Sequence, residues 1–298
     1  MAGTIGLEYE FTSSFSPEDI DRPSIIVVIA DKNVGKTTLA IDLIMAFHET
    51  LYLDMAVPIT MSDDPSYFAN IVEEKLVIRK QNPVDVAKRL MKCQKDVQKS
   101  HEASVPRLGV VFDNVFFATT EFKGMNDFFE NSSNRNILSI FTTSDPSIMP
   151  RQLLHRCDYV FVARSMSFGT RKKSWSTFGD MFEKFEDFND ALSHLGPHSF
   201  LVINKNSRLK DLTDIVSTYT PTVYLAKPIT YASANAFGKW HLLDGKFEEA
   251  EAAKTLQTFD PDLVPEEAGE VKVKEHSVFK ITDPRMRIVF FNSMDILD

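Results

Sequence analysis

Short apolar runs alternate with amphipathic stretches from residue 24 to about residue 206. Residues 24–30, SIIVVIA, form an unbroken β-branched run without polar alternation, which is typical of a parallel strand buried on both faces. The stretch that begins at Lys36, KTTLAIDLIMAFHE, has apolar positions at helical spacing. The pattern therefore predicts a strand, a connecting loop and a helix in succession.

The same alternation continues along the chain. Further strands are predicted at residues 50–60, 73–80, 107–114, 135–144 and 157–165, with a last strand at 198–206. Helices are predicted at residues 82–100, 124–134 and 178–195. The first of these opens with Asn82-Pro83, a helix-start signature. Strands that alternate with helices predict an α/β fold with a central, mainly parallel sheet flanked by helices.

The pattern divides the chain into three segments. Residues 1–23 are a polar N-terminal lead-in, and residues 24–230 carry the α/β pattern. Residues 231–298 are predicted to form a small acidic C-terminal extension with a helix, a linker and a strand-like end.

Charge and composition narrow the function classes. The formal net charge of −9 excludes a generally basic nucleic-acid binder, so contact with DNA needs a local basic region. The densest basic cluster is TRKKS at 170–174, predicted to be a loop that is either solvated or in contact with DNA phosphates in a ring pore. The 24 Phe residues indicate a large core and an assembly surface.

Two further observations concern the compartment. The two cysteines, Cys93 and Cys157, have no metal-type spacing and fit a reducing compartment. No apolar run approaches the roughly 20 residues that span a bilayer, so no membrane association is expected.

A phosphate-binding loop is predicted between the first strand and the first helix. Residues 30–37, ADKNVGKT, have the spacing of G-x-x-x-x-G-K-[ST], except that Ala30 replaces the first glycine. Alanine is compatible with that position if its φ stays negative. In such loops the backbone N–H groups and the lysine bind the phosphates of ATP, while the hydroxyl after the lysine binds Mg²⁺. The predicted nucleotide contacts are Asn33, Val34, Gly35, Lys36, Thr37 and Thr38.

An acidic residue follows a second buried strand. Asp113 ends the apolar run LGVVFD, and ligands of open α/β sheets collect at that end of the strands. We therefore predict that Asp113 and Thr37 hold Mg²⁺, the alternative being a capping aspartate. Asn114 follows, and its amide can orient a water molecule but cannot accept its proton.

These motifs together resemble a known family. The stretches VVIADKNVGKTTLAIDLI, MSDDPSYFANIVEEKLVI, VVFDNVFF, FFENSSNRNILSIFTTSDPSIMP and CDYVFVARS are similar to those of the genome-packaging ATPases of large nucleocytoplasmic DNA viruses. These enzymes include poxvirus members and belong to the HerA/FtsK branch of P-loop ATPases. The resemblance covers about residues 24–226.

The resemblance implies a P-loop ATPase that packages viral DNA. It implies a ring of identical subunits, with double-stranded DNA and capsid or portal vertex components as partners. It further implies action at virus assembly sites in the host cell cytoplasm or within the virion.

Three positions depart from the family pattern. Relatives tend to have a second acidic residue where Asn114 stands, Asn-Gly-Arg-His where residues 131–134 read NSSN, and glutamine where Ser144 stands. The resemblance therefore implies that Asn114 and Ser144 stand near the attacking water of a weakened or inactive ATPase. Arginines that complete such sites from a neighbouring subunit would be sought among Arg135, Arg151, Arg156 and Arg164. Arg156 lies close to a family arginine and is the predicted catalytic one; each of the others is otherwise a surface residue.

Three functions remain open at this stage. The first is the ATP-driven packaging motor, and the second is a P-loop paralogue that binds nucleotide as a structural or regulatory subunit. The third, a kinase for a nucleotide or another small molecule, needs a substrate lid with arginines, for which the sequence before residue 107 offers little.

Overall fold

The structure is a computed structural model that describes residues 13–62, 64, 66–68, 71–72, 77–100, 105–115, 124–164, 166–207 and 211–222. The predicted C-terminal extension and the first 12 residues of the lead-in lie outside these ranges.

A mixed sheet of eight strands forms the centre of the described residues. Its strands are β1 (Ile25–Ile29), β2 (Met55–Thr60), β3 (Ile78–Arg79), β4 (Leu108–Asp113), β5 (Ile137–Thr143), β6 (Tyr159–Ala163), β7 (Phe200–Asn204) and β8 (Val216–Tyr219). The spatial order is β3-β2-β4-β5-β1-β6-β7-β8. The first six strands in this order are parallel to one another, and β7 pairs antiparallel with both β6 and β8. The predicted mainly parallel sheet is therefore confirmed.

Helices connect these strands and flank the sheet. They are α1 (Lys36–Thr50), α2 (Pro83–Ser100), α3 (Asn126–Asn131), α4 (Arg151–Arg156), α5 (Phe168–Phe178), α6 (Phe185–His194) and α7 (Leu212–Ile215). Within the described ranges, none of them combines the length and the apolar character that a bilayer crossing requires.

Three boundary predictions are wrong. The strand predicted at 50–60 begins only at Met55, and residues 198–206 do not hold the last strand, because β8 follows. The helix predicted at 178–195 begins only at Phe185. Phe178 instead ends α5, where Gly179 caps the helix by donating its N–H to Trp175 O. A Cβ on Gly179 would lie 2.6 Å from the Trp175 side chain, so glycine permits this tight ending.

The basic cluster 170–174 lies within α5 and is not a loop. Arg171 donates to Asn189 Oδ1 at 2.9 Å and to the Arg164 carbonyl at 3.1 Å. Lys173 forms an ion pair with Asp145 at 2.7 Å. Two of the three basic side chains are therefore used within the molecule, and the idea of a basic pore loop at this place is wrong.

Phenylalanine rings fill the core around β4 and β5, as the composition suggested. Phe112 stacks on Phe141 with ring centroids 4.5 Å apart, and Phe128 meets Phe112 edge to face at 5.5 Å. All three are almost fully buried. This packing holds β4 and β5 in their register relative to each other, and it therefore positions the polar residues at their carboxyl ends.

The lead-in segment runs along the outer edge of β8. Phe15 N–H donates to Thr218 O at 2.8 Å, and Thr218 N–H donates to Ser13 O at 3.2 Å. The Phe15 ring packs edge to face on Tyr159, Phe161 and Tyr219, with centroid distances of 5.2–5.7 Å. This part of the lead-in is therefore integrated into the domain.

A buried carboxyl group links α1 to β8. Asp42 accepts a 2.6 Å hydrogen bond from the Tyr219 hydroxyl, and only 3% of its surface is exposed. Burial raises the pKa of Asp42 to about 6, although hydrogen bonds from Tyr219 and Thr222 act in the opposite direction.

Candidate nucleotide-binding site

The predicted phosphate loop lies between β1 and α1, as the sequence required. Gly35 precedes the first residue of α1 and has φ of 93°, a conformation that residues with a side chain rarely adopt. A Cβ at this position would meet nothing within 4 Å. Glycine is therefore required here by the backbone conformation and not by lack of space.

Ala30 occupies the position of the missing first glycine without strain. It is fully buried and is not among the described residues with positive φ. Its N–H donates to Thr143 O at 3.2 Å, which extends the pairing of β1 with β5 by one residue. The condition under which alanine is acceptable is met.

Lys36 folds back onto the loop. Its Nζ donates to the carbonyls of Ala30 and Asp31, each at 2.9 Å, and the residue is 5% exposed. Burial lowers the pKa of Lys36, while the carboxylates of Asp113 and Asp31 act in the opposite direction. Phosphate oxygens are stronger acceptors for an ammonium group than neutral carbonyls. A bound triphosphate can therefore replace these two carbonyls as the partner of Lys36.

The other predicted nucleotide contacts surround the start of α1. Asn33 has φ of 65°, and Val34 N–H donates to Asp31 O at 3.3 Å. The first bond of the helix runs from Leu39 N–H to Gly35 O. The amides of residues 36–38 therefore belong to the first turn, where N–H groups have no intrahelical acceptor and suit an anion. This is the arrangement that phosphate binding needs.

Asp113 is the centre of a polar cluster at the end of β4. Its Oδ1 accepts from Thr37 Oγ1 at 3.0 Å and from Thr142 Oγ1 at 2.8 Å. Its Oδ2 accepts from Thr60 Oγ1 at 3.4 Å. The structure thus brings together Thr37 and Asp113, the two residues predicted to hold Mg²⁺. It adds two threonines from neighbouring strands.

The oxygen-rich cluster has the chemistry of a magnesium site. Mg²⁺ prefers hard oxygen ligands and usually keeps several waters, with one or two carboxylates and the substrate phosphates completing its shell. The Asp113 carboxylate and the Thr37 hydroxyl are such donors. Within the described ranges there is no group of three or more His, Cys, Asp or Glu residues suited to a metal. The Asp113 carboxylate and the Thr37 hydroxyl could hold Mg²⁺ together with water molecules and the phosphate oxygens of a bound nucleotide.

Asn114 follows Asp113 in a left-handed conformation. Its φ is 51°, and its N–H donates to Thr142 Oγ1 at 2.9 Å. Asparagine tolerates this conformation better than most residues. The left-handed backbone at this position is a structural reason for asparagine. It stands beside the predicted catalytic reason, which is that the amide next to Asp113 can orient a water molecule.

Ser144 lies one residue beyond β5, at the same edge of the sheet. It is half-buried, and the side-chain bonds next to it involve Thr142 and Thr143. Thr143 Oγ1 accepts from Asp145 N–H at 3.1 Å and holds the following turn. Ser144 is therefore near the cluster, while Thr142 is the β5 residue that contacts Asp113.

Arg156 lies at the end of the sheet where the parallel strands begin, opposite to the phosphate loop at their carboxyl ends. It ends α4 and is exposed. Two residues later, Asp158 N–H donates to Ile25 O at 2.7 Å, where β1 begins. Lys36 lies beyond the other end of β1. Arg156 is consequently too far along β1 to complete the site of its own subunit.

The other three arginines occupy different places. Arg135 donates to Met91 O at 2.8 Å and pairs with Asp127 at 3.7 Å, so it is engaged within the subunit. Arg151 begins α4 and is exposed, and Arg164 directly follows β6. Arg164 thus lies at the same edge as the phosphate loop.

Asp31 joins the phosphate loop to α5. Its Oδ2 accepts from Ser167 N–H at 2.6 Å, and its Oδ1 accepts from Thr170 Oγ1 at 2.8 Å. Sequence reasoning missed Asp31, and it also missed Thr60 and Thr142. Thr60 ends the apolar run MAVPIT, and Thr142 is the penultimate residue of ILSIFTT, so hydroxyl groups at the end of a buried strand were the available signal.

The sequence matches no protein-family model, and no curated protein matches it significantly. Among solved structures, the chain is similar to the genome packaging NTPase B204 from Sulfolobus turreted icosahedral virus 2 in complex with AMPPCP. The identity is 10%, the match covers 67% of this chain and 98% of that chain, and the TM-score is 0.49.

Two further solved structures illustrate the range of matches. B204, the DNA-packaging ATPase from Sulfolobus turreted icosahedral virus, gives 11% identity, coverage of 68% of this chain and 100% of that chain, and a TM-score of 0.48. The cytoplasmic domain of the type VII secretion ATPase EccC from Thermomonospora curvata gives 11% identity, coverage of 67% and 25%, and a TM-score of 0.46. Similarity at this level assigns neither an activity nor a partner. The strand order and the loop between β1 and α1 give the chain a P-loop α/β fold.

Proposed function

We propose that this chain binds ATP with Mg²⁺ and is an ATPase subunit of a ring-forming motor that moves double-stranded DNA into a viral capsid. The observation that supports ATP binding most directly is the cluster of Lys36, Thr37 and Asp113 at the ends of β1 and β4. The resemblance of the ordered motifs to viral packaging ATPases supports the motor role.

Each group in this cluster has a role in the proposed reaction. The amides of the loop and of the first turn of α1 bind the phosphates, and Lys36 turns from the loop carbonyls to the β and γ oxygens. Thr37 and Asp113 would hold Mg²⁺, which neutralises charge on the transferred phosphoryl group. Asn114 and Ser144 would lie near the attacking water. Because an amide cannot take up a proton, we expect slow turnover.

A neighbouring subunit would complete the site. An arginine supplied in trans stabilises the charge of the transferring phosphoryl group. Arg156 lies at the edge of the sheet opposite to its own phosphate loop, so in a ring it would serve the next subunit.

DNA contact requires a basic surface, and a lysine row on α2 offers one. Lys88, Lys92, Lys95 and Lys99 recur at helical spacing and are exposed. They extend over about 16 Å of the helix. Three of these lysines, Lys88, Lys92 and Lys95, border a cavity of about 240 Å³ between α2 and α3. Arg135 adds a fourth basic side chain to its lining, and Asp127 adds an acidic one. Such a surface suits the phosphates of a duplex without reading its sequence.

In this role the protein would act at virus assembly sites in the host cell cytoplasm or in the virion, with capsid or portal vertex components as partners. A second candidate function is a nucleotide-binding structural or regulatory subunit without turnover. The identity of Asn114 favours it, since the position that would polarise water carries an amide.

ATP hydrolysis by the purified protein, with and without long duplex DNA, tests the proposal. We expect slow turnover that DNA stimulates and that Lys36→Ala abolishes, while Lys184→Ala, a change of an exposed lysine, has no effect. Binding of ATP without any turnover, in the presence or absence of DNA, would favour the structural subunit. Phosphate transfer to a small acceptor would instead indicate a kinase.

The DNA surface is tested separately with Lys88→Glu/Lys95→Glu. We expect weaker duplex binding and a reduction of about 1 to 2 in the slope of log affinity against log salt concentration. Basal ATP hydrolysis should not change. The matched control is Lys172→Glu/Lys184→Glu, which makes the same change in net charge at two exposed lysines elsewhere. Equal loss of DNA binding in the control would show that only net charge matters.

A further inference from the structure

An exposed aromatic ring lies beside the phosphate loop. Phe168 is the first residue of α5, and 67% of its surface is exposed. Most other large hydrophobic side chains in the described ranges are buried. Phe168 is therefore a large apolar side chain left open to solvent at the edge of the sheet where the loop lies.

The loop itself holds this ring in place. Ser167 N–H and Thr170 Oγ1, on either side of Phe168, both donate to the Asp31 carboxylate at 2.6 and 2.8 Å. Asp31 is also a loop residue whose carbonyl accepts from Lys36. The position of Phe168 is thus fixed relative to the groups that would bind phosphate.

Other aromatic residues support the ring from one side. Phe168 meets Phe185 with centroids 5.3 Å apart and an interplanar angle of 82°, and Trp175 meets Phe185 at 5.9 Å. Edge-to-face pairs of this kind hold a ring in a defined orientation. The exposed part of Phe168 is therefore a preorganised surface.

The direction of a bound triphosphate brings its base to this surface. Asp113 lies at the end of β4, on the β5 side of β1, and with Thr37 it marks the end where the β and γ phosphates and Mg²⁺ would lie. The nucleoside extends away from that end. On the other side of β1 lies β6, and the chain that leaves β6 leads into Ser167 and Phe168.

We propose that Phe168 is the base-binding surface of this site, on which the purine ring of the nucleotide stacks. The inference deepens the proposed function and rests on it. Stacking on an aromatic side chain tolerates every base, because each base has a π face. Phe168 therefore contributes to affinity without selecting adenine over guanine, so ATP and GTP bind with similar strength.

The test compares a ligand that has a base with one that lacks it. Binding of MgATP and of magnesium tripolyphosphate is measured by calorimetry for the full chain and for Phe168→Ala, Phe168→Tyr and Tyr52→Ala. Tyr52 is a matched control, because it is 75% exposed and precedes β2 at the opposite edge of the sheet.

We expect Phe168→Ala to weaken MgATP binding roughly 5- to 100-fold and to leave tripolyphosphate binding unchanged. Phe168→Tyr and Tyr52→Ala should bind both ligands like the wild type. Equal loss of both ligands in Phe168→Ala would overturn the inference, since the loop itself would then be damaged.

Wild-type affinity for MgATP in Phe168→Ala would also overturn it. Light scattering then shows whether Phe168 serves a contact between copies of the chain, which a changed oligomeric state would reveal. If the wild type binds neither MgATP nor tripolyphosphate, the proposed nucleotide binding itself fails, and the inference fails with it. If only the inference about Phe168 is wrong, the wild type still binds both tripolyphosphate and MgATP, and Lys36→Ala weakens the binding of both.

Discussion

The Thr37 hydroxyl donates to the Asp113 carboxylate at 3.0 Å, although 76 positions separate the two residues in the sequence. Asp113 ends β4, and Thr37 lies in α1, the helix that follows β1. The strands β4 and β1 are not neighbours in the sheet, because β5 lies between them. Thr142 of β5 donates to the same carboxylate at 2.8 Å. The candidate metal site is therefore built across three adjacent strand ends.

Thr142→Val tests whether the β5 hydroxyl supports this carboxylate. The change keeps the shape of the side chain, removes the bond to Asp113 and leaves Asn114 N–H without its acceptor. We expect unfolding free energy to fall by about 1–3 kcal/mol and ATP binding to need more Mg²⁺. Urea unfolding and Mg²⁺ titration of ATP binding measure these effects. Thr60→Val removes the longer, 3.4 Å contact with Asp113 and also the acceptor of Ser62 N–H. Because its bond to Asp113 is the weaker one, it should raise the Mg²⁺ requirement less than Thr142→Val does; an equal rise would contradict the prediction.

Asp31→Ala should loosen α5 from the phosphate loop. It removes two hydrogen-bond acceptors, so we expect a loss of about 1–3 kcal/mol in unfolding free energy together with weaker ATP binding. Thr170→Val removes one of the two bonds to Asp31 together with the 2.9 Å contact between Thr170 Oγ1 and Ser167 Oγ, but it leaves Ser167 N–H its acceptor. We therefore expect Thr170→Val to weaken ATP binding less than Asp31→Ala does. ATP binding and urea unfolding of both variants give the comparison, and an equal loss of ATP binding would contradict the prediction.

Asn114→Glu should raise ATP turnover, since a carboxylate can accept the proton of the attacking water. The φ of 51° at this position makes the change cost about 1–2 kcal/mol of stability, which thermal unfolding would register. Asn114→Asp is the companion variant, because aspartate tolerates this conformation but is shorter. We expect at least about tenfold faster steady-state hydrolysis in the glutamate variant. Unchanged turnover in both variants would remove Asn114 from the reasons for slow hydrolysis.

Asp42 makes stability depend on pH. Its pKa is about 6 in the folded chain, whereas an ordinary aspartate has a pKa of 3.8, so between these values the folded state binds the proton more tightly than the unfolded state. The carboxyl therefore lowers stability as pH rises from about 4 through 6, and the full penalty is present above 6. We expect Asp42→Asn to be more stable than the wild type by up to about 3 kcal/mol at pH 8 and equally stable near pH 4. Urea unfolding at both pH values measures the difference, and a pH-independent difference would contradict the prediction.

Arg156→Ala should lower turnover at least about tenfold without changing ATP affinity, if Arg156 acts on the next subunit. Mixing Arg156→Ala subunits with Lys36→Ala subunits then restores part of the activity, because intact sites receive Arg156 from their neighbours. Hydrolysis by each variant alone and by the mixture is the measurement. Arg151→Ala, which changes another exposed arginine of α4, is the control. A mixture as inactive as its components would exclude action in trans.

The sequence predicted the fold well where buried strands carry unbroken apolar runs. SIIVVIA and LGVVFD correspond to β1 and β4 because parallel strands buried on both faces leave no polar positions. Periodicity misplaced the region 178–184, since Phe182 and Phe188 are both buried although only Phe188 belongs to α6. Helical spacing of apolar residues does not distinguish a helix from a packed turn.

The local part of the candidate site was also accessible from sequence, because the phosphate loop and the first turn of α1 are contiguous. The long-range part was not. Thr142 contacts Asp113 because of strand order, and Asp31 contacts Ser167 because β6 lies beside β1. A sequence contains no direct signal for either neighbour relationship. The polar residues of the basic cluster 170–174 show no apolar helical periodicity, so the sequence predicts a loop there. The short helix α5 forms at this place, and Asp31 accepts hydrogen bonds from its first turn.

The lead-in segment along β8 has a consequence for aggregation. The edge of a sheet presents unpaired N–H and C=O groups that can recruit strands from other molecules. Ser13 and Phe15 occupy the backbone groups of Thr218 at that edge, and the Phe15 ring covers the apolar side chains beneath it. A chain shortened beyond Phe15 would expose both at once and offer a template for misassembly. Residues 13–15 therefore cover a strand edge that is otherwise open to pairing with another molecule.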